Sequence, residues 1–142
     1  MGAEIAVAIS WLYSTLNGDS TLHTSAPGGV WRAEAPPGTA TPYVILIYQQ
    51  NPSHDEIVFG GGRAFGDLFF EIVATGPAKV TQTIASAAGR LDTLLTVSQQ
   101  TSISGGTLLA CYRTQSSESD PLINGETWTN MGGIYRIMMK AS

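Results

Sequence analysis

Charge is scarce in this chain. Of its 142 residues only 13% are charged, against about 25% in an ordinary globular protein. Much of the surface must therefore be uncharged. The 7 basic residues are outnumbered by 11 acidic ones, for a net charge of −4. A nucleic-acid clamp needs clustered Lys and Arg, so this balance excludes one. A single cysteine, Cys111, excludes an internal disulfide and a thiolate zinc module. No apolar run approaches the roughly 18 residues of a membrane-spanning helix. No segment repeats at a fixed period. Met1-Gly2-Ala3-Glu4 carries an acid where an export signal carries positive charge, and no Ser or Thr stands at the sixth position of a myristoylation signal. The start reads as a plain cytoplasmic one.

Apolar residues, by contrast, make up 43%, enough for a core, and 16 Gly with 7 Pro point to long irregular connections. The length predicts one domain over residues 1–142. Ile5, Ile9, Leu12 and Leu16 form one helical stripe, so a helix is expected over 3–17, closed by Asn17-Gly18. A short strand fits 30–34. Tyr43-Val44-Ile45-Leu46-Ile47-Tyr48, after Pro42, predicts a strand apolar on both faces. A helix layer on one face and a neighbouring subunit on the other would cover it. In the strand expected at 65–75, Leu68, Phe70 and Ile72 share one face and Asp67, Phe69, Glu71 and Val73 the other. A second helix runs to residue 95, opening at Pro77, with the stripe Val80, Ile84, Ala88, Leu91 and Leu95. Strands follow at 107–114 and 134–140. The first is expected to divide Leu108, Ala110 and Tyr112 from Leu109, Cys111 and Arg113.

This order predicts an α+β fold: an antiparallel sheet of four to five strands with two helices on one face. The connections 19–41, 49–64 and 115–133 are long for structureless loops. They are expected to be arms ordered by contact with other subunits.

Chemistry-bearing motifs are few. Gly60-Gly61-Gly62-Arg63 has no lysine and precedes a strand, unlike a phosphate-binding loop, so a hairpin loop is expected. His54-Asp55-Glu56 sets an imidazole beside two carboxylates, but His23 is the only other histidine and no Gly-x-Ser-x-Gly elbow is present. A solvated acidic loop is expected there, with no catalytic, metal or cofactor residue. The competing reading is a small hydrolase using His54 and Asp55. Cys111, among Leu109, Ala110 and Tyr112, is expected to be a buried structural thiol. Trp31 and Trp128 lie in or beside loops, as interface anchors do, and equally as rings folded back onto their own domain. A small-molecule module with Trp31, Trp128 and Tyr43 lining a pocket is a third class.

Several segments together resemble the bacteriophage tail-completion and tail-terminator family. They are Leu-Tyr-Ser-Thr-Leu-Asn-Gly-Asp-Ser-Thr-Leu at 12–22, Gly-Gly-Val-Trp-Arg at 28–32, Ala-Pro-Pro at 35–37 and Thr-Pro-Tyr-Val-Ile-Leu at 41–46. An Ala- and Leu-rich amphipathic helix at 78–95 and Gly-Ile-Tyr-Arg-Ile-Met-Met at 133–139 complete the set. The resemblance implies a homo-oligomeric virion protein, typically a hexameric ring. Such a ring caps the head-proximal end of the tail tube and joins it to the head connector. It implies tail-tube and connector partners, DNA passing through the lumen without specific binding, and assembly in the host cytoplasm. It implies no enzymatic activity, no cofactor and no membrane. A connector adaptor or a tail-tube protein is the neighbouring reading. The subunit-interface candidates are Trp31, Arg32, Tyr43, Ile45, Ile47, Arg63 and Trp128. The negative net charge suits a channel wall past which phosphates slide.

Overall fold

A computed structural model describes residues 2–57 and 63–141; the side chains of Ile57, Arg63 and Ala64 lie outside that description. Helix α1 (Gly2–Asn17) buries Ala8, Leu12 and Leu16 at i, i+4 spacing, with Glu4 on the same line. The stripe is thus centred one residue earlier than expected, and Ile5 and Ile9 flank it half-buried. A short helix, α2 (Ser20–Ser25), follows. The Asp19 carboxylate caps it, accepting from the Leu22 amide at 2.8 Å. Six residues carrying a single buried side chain, Leu22, leave no periodic trace, so this element was expected as loop.

The strands are β1 (Val30–Arg32), β2 (Tyr43–Tyr48), β3 (His54–Ile57), β4 (Arg63–Pro77), β5 (Thr101–Ile103), β6 (Gly106–Ser119), β7 (Leu122–Ile123) and β8 (Glu126–Ala141). Helix α3 (Thr81–Leu95) enters through a 3₁₀ turn at Ala78–Val80, and Pro77 ends β4 instead of opening the helix. The main sheet runs β1-β2-β4-β8-β6-β5, with β3 on β4 and β7 on β8. Two expectations are corrected. Among the described residues the sheet holds eight strands, not four or five, and it is mixed, because β1 and β2 are parallel. The Pro- and Gly-rich segment 33–42 returns the chain along the sheet edge, so β2 starts at the same end as β1. Among the described residues the α-helices number three. Of these, α1 and α3 pack on the sheet face made by Leu68, Phe70, Ile72, Tyr135, Ile137 and Met139.

Most of the extra strand lies where loops were expected. Residues 115–119 and 126–133 extend β6 and β8 into one long hairpin. Its side chains are largely polar on both faces, so periodicity gives no sign of strand; cross-strand backbone pairing holds it. At the tip, Asn124 and Gly125 both have positive φ (50° and 78°) and turn β7 directly into β8. That is the Asn-Gly hairpin turn, which suits the strand twist. The segment expected as an acidic loop contains β3. The Gly60-Gly61-Gly62 stretch lies outside the described residues.

Two irregularities re-aim β6. Its register with β8 shifts between Leu108 and Ala110 and again between Arg113 and Gln115. The first shift places Leu108 and Cys111 together in the core, at 1% and 0% exposure. This overturns the simple alternation expected for 107–114. In α3 the buried residues are Ile84, Ala87, Leu91 and Leu95, with Ala87 instead of Ala88.

Candidate functional site

The face of the sheet turned away from the helices carries the chain's chemistry. Cross-strand register builds it row by row. Trp31, Ile45 and Val73 form one row that continues through Gly132 to Ser117. Tyr43, Thr75 and Asn130 form the next, and Ile47, Glu71 and Ile134 lie on the other side. Phe69, Arg136 and Tyr112 form a further row. Among the described residues, no helix packs on this face. Instead the chain's own residues 33–35 lie over its β1–β2 end, leaving a groove of about 400 Å³ open to solvent. Ile45, Ile47, Val73, Tyr43, Glu71 and Ile123 are among its walls.

Five of the seven interface candidates meet here. Tyr43 and Trp128 stack edge to face at 6.1 Å. Burial raises the Tyr43 phenol above its ordinary range. Trp31 sits beside Ile45 in register, half-buried, and its indole N–H donates to the Gly28 carbonyl at 2.8 Å. It is therefore anchored to its own chain. Ile45 is 8% exposed and Ile47 37%. The apolar run in β2 is thus covered on its outer side partly by the chain itself, at Ile45. Arg32 does not join this group: it pairs with Leu46 and alternates to the opposite face, exposed. The Arg63 side chain lies outside the described residues.

The face also carries a charged network that single-residue reading missed. Asp67 is fully buried, and Arg136 grips both its oxygens, Nε to Oδ1 at 2.8 Å and Nη2 to Oδ2 at 2.5 Å. The Arg136 Nη1 donates to the Tyr112 hydroxyl at 2.8 Å. These bonds, Asp67 first, lift Arg136 above its already high range. Nearby, the Ser117 hydroxyl donates to Glu71 at 2.7 Å. The signal for all this was the alternation of Asp67, Phe69, Glu71 and Val73. The partner arginine, 69 residues away, was not deducible from it.

His54 stands at the end of this network. Its Nδ1 faces the Pro52 carbonyl at 3.0 Å, and Nε2 lies 2.6 Å from Glu56 and 3.5 Å from Asp67. The Pro52 carbonyl, then Glu56, raise its pKa. The donor atoms of His54, Glu56 and Asp67 come within 4.8 Å of one another. Both Asp67 oxygens already accept from the Arg136 guanidinium, whose charge opposes a cation there. Within the set, the short contact is the one between His54 Nε2 and Glu56. The adjacent Ser53 hydroxyl donates to Gln49 at 2.6 Å and accepts from the Phe69 amide at 3.0 Å. These two bonds tie it between Gln49 and β4. Asp55, the partner in the hydrolase reading, alternates to the other face of β3 from His54. Cys111 is buried, and burial first, with Asp92 second, pushes its thiol up to about 12. Such a thiol is not poised for attack.

The β6–β8 hairpin projects from the same sheet. Its tip shows Leu122 at 72% and Ile123 at 41% exposure, an aliphatic pair in a polar arm.

No family model and no curated protein matches the chain. A solved chain described as from the virion of a native gene transfer agent particle shares the fold. The TM-score is 0.58 at 14% identity, covering 89% of this chain and 90% of that one. At that identity the likeness establishes the shared fold.

Proposed function

We propose that this chain is a non-enzymatic structural protein of a phage-type virion. In this reading it forms a ring at the head-proximal end of the tail tube, stops tube growth and joins the tail to the head connector. The observation that carries the reading is the likeness of fold, over about nine-tenths of both chains, to a chain described as part of a virion particle. The sheet supports it. One face is sealed by helices, while the other leaves Ile47, Tyr112 and the groove beside Ile45 and Val73 open to a neighbour. Tyr43, Ile47 and Trp128 would be buried between subunits, with Trp31 and Ile45 supporting them from beneath. A heterologous contact repeated around a closed ring uses such a face once per subunit without growing into a filament.

The test is assembly. Electron microscopy of purified protein mixed with tail tubes should show a single capping layer, and phage lacking the gene should yield tubes of uncontrolled length. Long tubes formed by this protein alone would instead make it a tube protein. Normal virions from the deletion strain would dispose of the proposal.

A further inference from the structure

The sheet edges differ in how they are closed. On the outer side of β6, β5 covers Gly106–Leu108 and Val97 bridges Cys111. Beyond that point, residues 112–119 pair with β8 on one side only, among the described residues. An edge of this kind offers a row of backbone donors and acceptors, and proteins usually block it with Lys, Pro or a very short strand. This one is eight residues long and contains neither Lys nor Pro; its one guard is the register shift at Arg113–Gln115. Its only charges are Arg113 and Glu118, of opposite sign and near opposite ends.

Register places both of these side chains on the helix side, where they line a groove of about 280 Å³ against α3. The α3 wall there is Ala85, Ala88, Gly89 and Asp92, and the three small residues leave most of the edge unscreened. Arg113 lies 3.9 Å from Asp92, a loose contact that leaves its donors available.

We infer that this edge pairs antiparallel with the same edge of a second copy. Centred on Ser116, a two-fold pairing sets Gln115 opposite Ser117 of the other copy. It also brings Glu118 to the Arg113–Thr114 irregularity, on the same face as Arg113. The opposite-charge pair then occurs twice, once at each end. Cross-strand pairs of this kind are stabilising, and like charges in the same places are not. Because the contact is isologous, it closes at two copies. Apart from Tyr112 at its start, it uses a different surface from the ring contact, and it does not rest on the ring reading.

Sedimentation velocity of the full chain, from low to high micromolar, should show a monomer–dimer equilibrium. Arg113→Glu and Glu118→Arg should each weaken the dimer roughly tenfold or more, because each places like charges opposite each other twice. The double variant R113E/E118R should restore it. Hydrogen exchange should show amides within 112–119 becoming protected as concentration rises. A monomer throughout, or a dimer indifferent to both reversals, would overturn the inference. So would protection that appears only when another virion protein is added, which would give the edge to that protein. A capping ring with 112–119 unprotected would sink this pairing and leave the ring reading standing; a charge-sensitive dimer that never caps tubes would do the reverse.

Discussion

Along β4, Leu68, Phe70, Ile72 and Ala74 are at most 1% exposed, while Phe69 and Glu71, each one residue away, stay partly open to solvent. The two faces of one sheet thus have different characters. The inner face is continuous hydrocarbon under α1 and α3, with Tyr135 handing its hydroxyl to Asp92 at 3.2 Å. The outer face alternates apolar side chains with hydrogen-bonded charges. An all-apolar outer face would be sticky before assembly. A wholly polar one would offer a neighbour little to bury. On the proposed reading, the mixture suits a protein that folds alone and associates later.

The sharpest test of that difference is a pair of truncations. Phe70→Ala, on the inner face, should cost about 4 kcal/mol in urea unfolding, since it removes a buried ring and leaves a cavity. A loss below about 1 kcal/mol would mean the inner face is not the core. Gly132→Ala probes the close approach of β8 to β4. A Cβ at Gly132 would meet the Ile72 carbonyl oxygen at 2.0 Å. Because backbone gives way poorly, about 3 kcal/mol of destabilisation is expected in the same assay.

Next in size is the outer charged network. Arg136→Met should cost about 2 kcal/mol, because it leaves the buried Asp67 carboxylate without its guanidinium. Adding Asp67→Leu to Arg136→Met should recover much of the loss, and a double-mutant cycle would measure the coupling. An Arg136→Met variant as stable as the parent would show that the pair only decorates the surface.

A further comparison is set by pH. Asp19 is held down to about 2 by its bonds to Arg90, at 2.9 and 2.7 Å, and then by the Leu22 amide. A depressed carboxylate contributes stability above its ordinary value of 3.8 and loses it as pH falls toward 2. Thermal midpoints should therefore fall between pH 4 and pH 2, and less steeply in Asp19→Asn, where no carboxylate titrates. Raised His54 works the other way, adding stability at low pH that fades as pH climbs through its folded pKa.

The smallest effect on folding belongs to the open face. Ile47→Lys should change unfolding stability by less than about 0.5 kcal/mol, yet, on the proposed reading, prevent a capping layer from forming when the protein is mixed with tail tubes. If it destabilises the monomer as much as Phe70→Ala does, the face is core and the contrast between the two faces collapses.

The continuous run Tyr43–Tyr48 in the sequence already pointed to a strand with apolar residues on both faces, and β2 has those bounds. The alternation at 67–73 likewise announced two unlike faces. The partners across them were invisible. Arg136 reaches Asp67, and Ser117 reaches Glu71, only because β4, β8 and β6 lie side by side. Of the interface candidates, Tyr43, Ile45, Ile47, Trp31 and Trp128 converge, whereas Arg32 does not, since one residue of alternation turns it to the other face. The arm at 115–133 looked like loop because its strands bury almost nothing, and side-chain periodicity registers burial, not backbone pairing.

Local apolar pattern was enough to place α1, α3, β4 and β8 through a repeating stripe and β2 through a continuous run, whereas for 107–114 it gave the strand but not which residues are buried. The parallel entry of β1, the bulges in β6, the length of the hairpin and its free edge were decided by tertiary structure. Those features depend on hydrogen bonds and register between segments far apart in the chain, and no short window of residues encodes them.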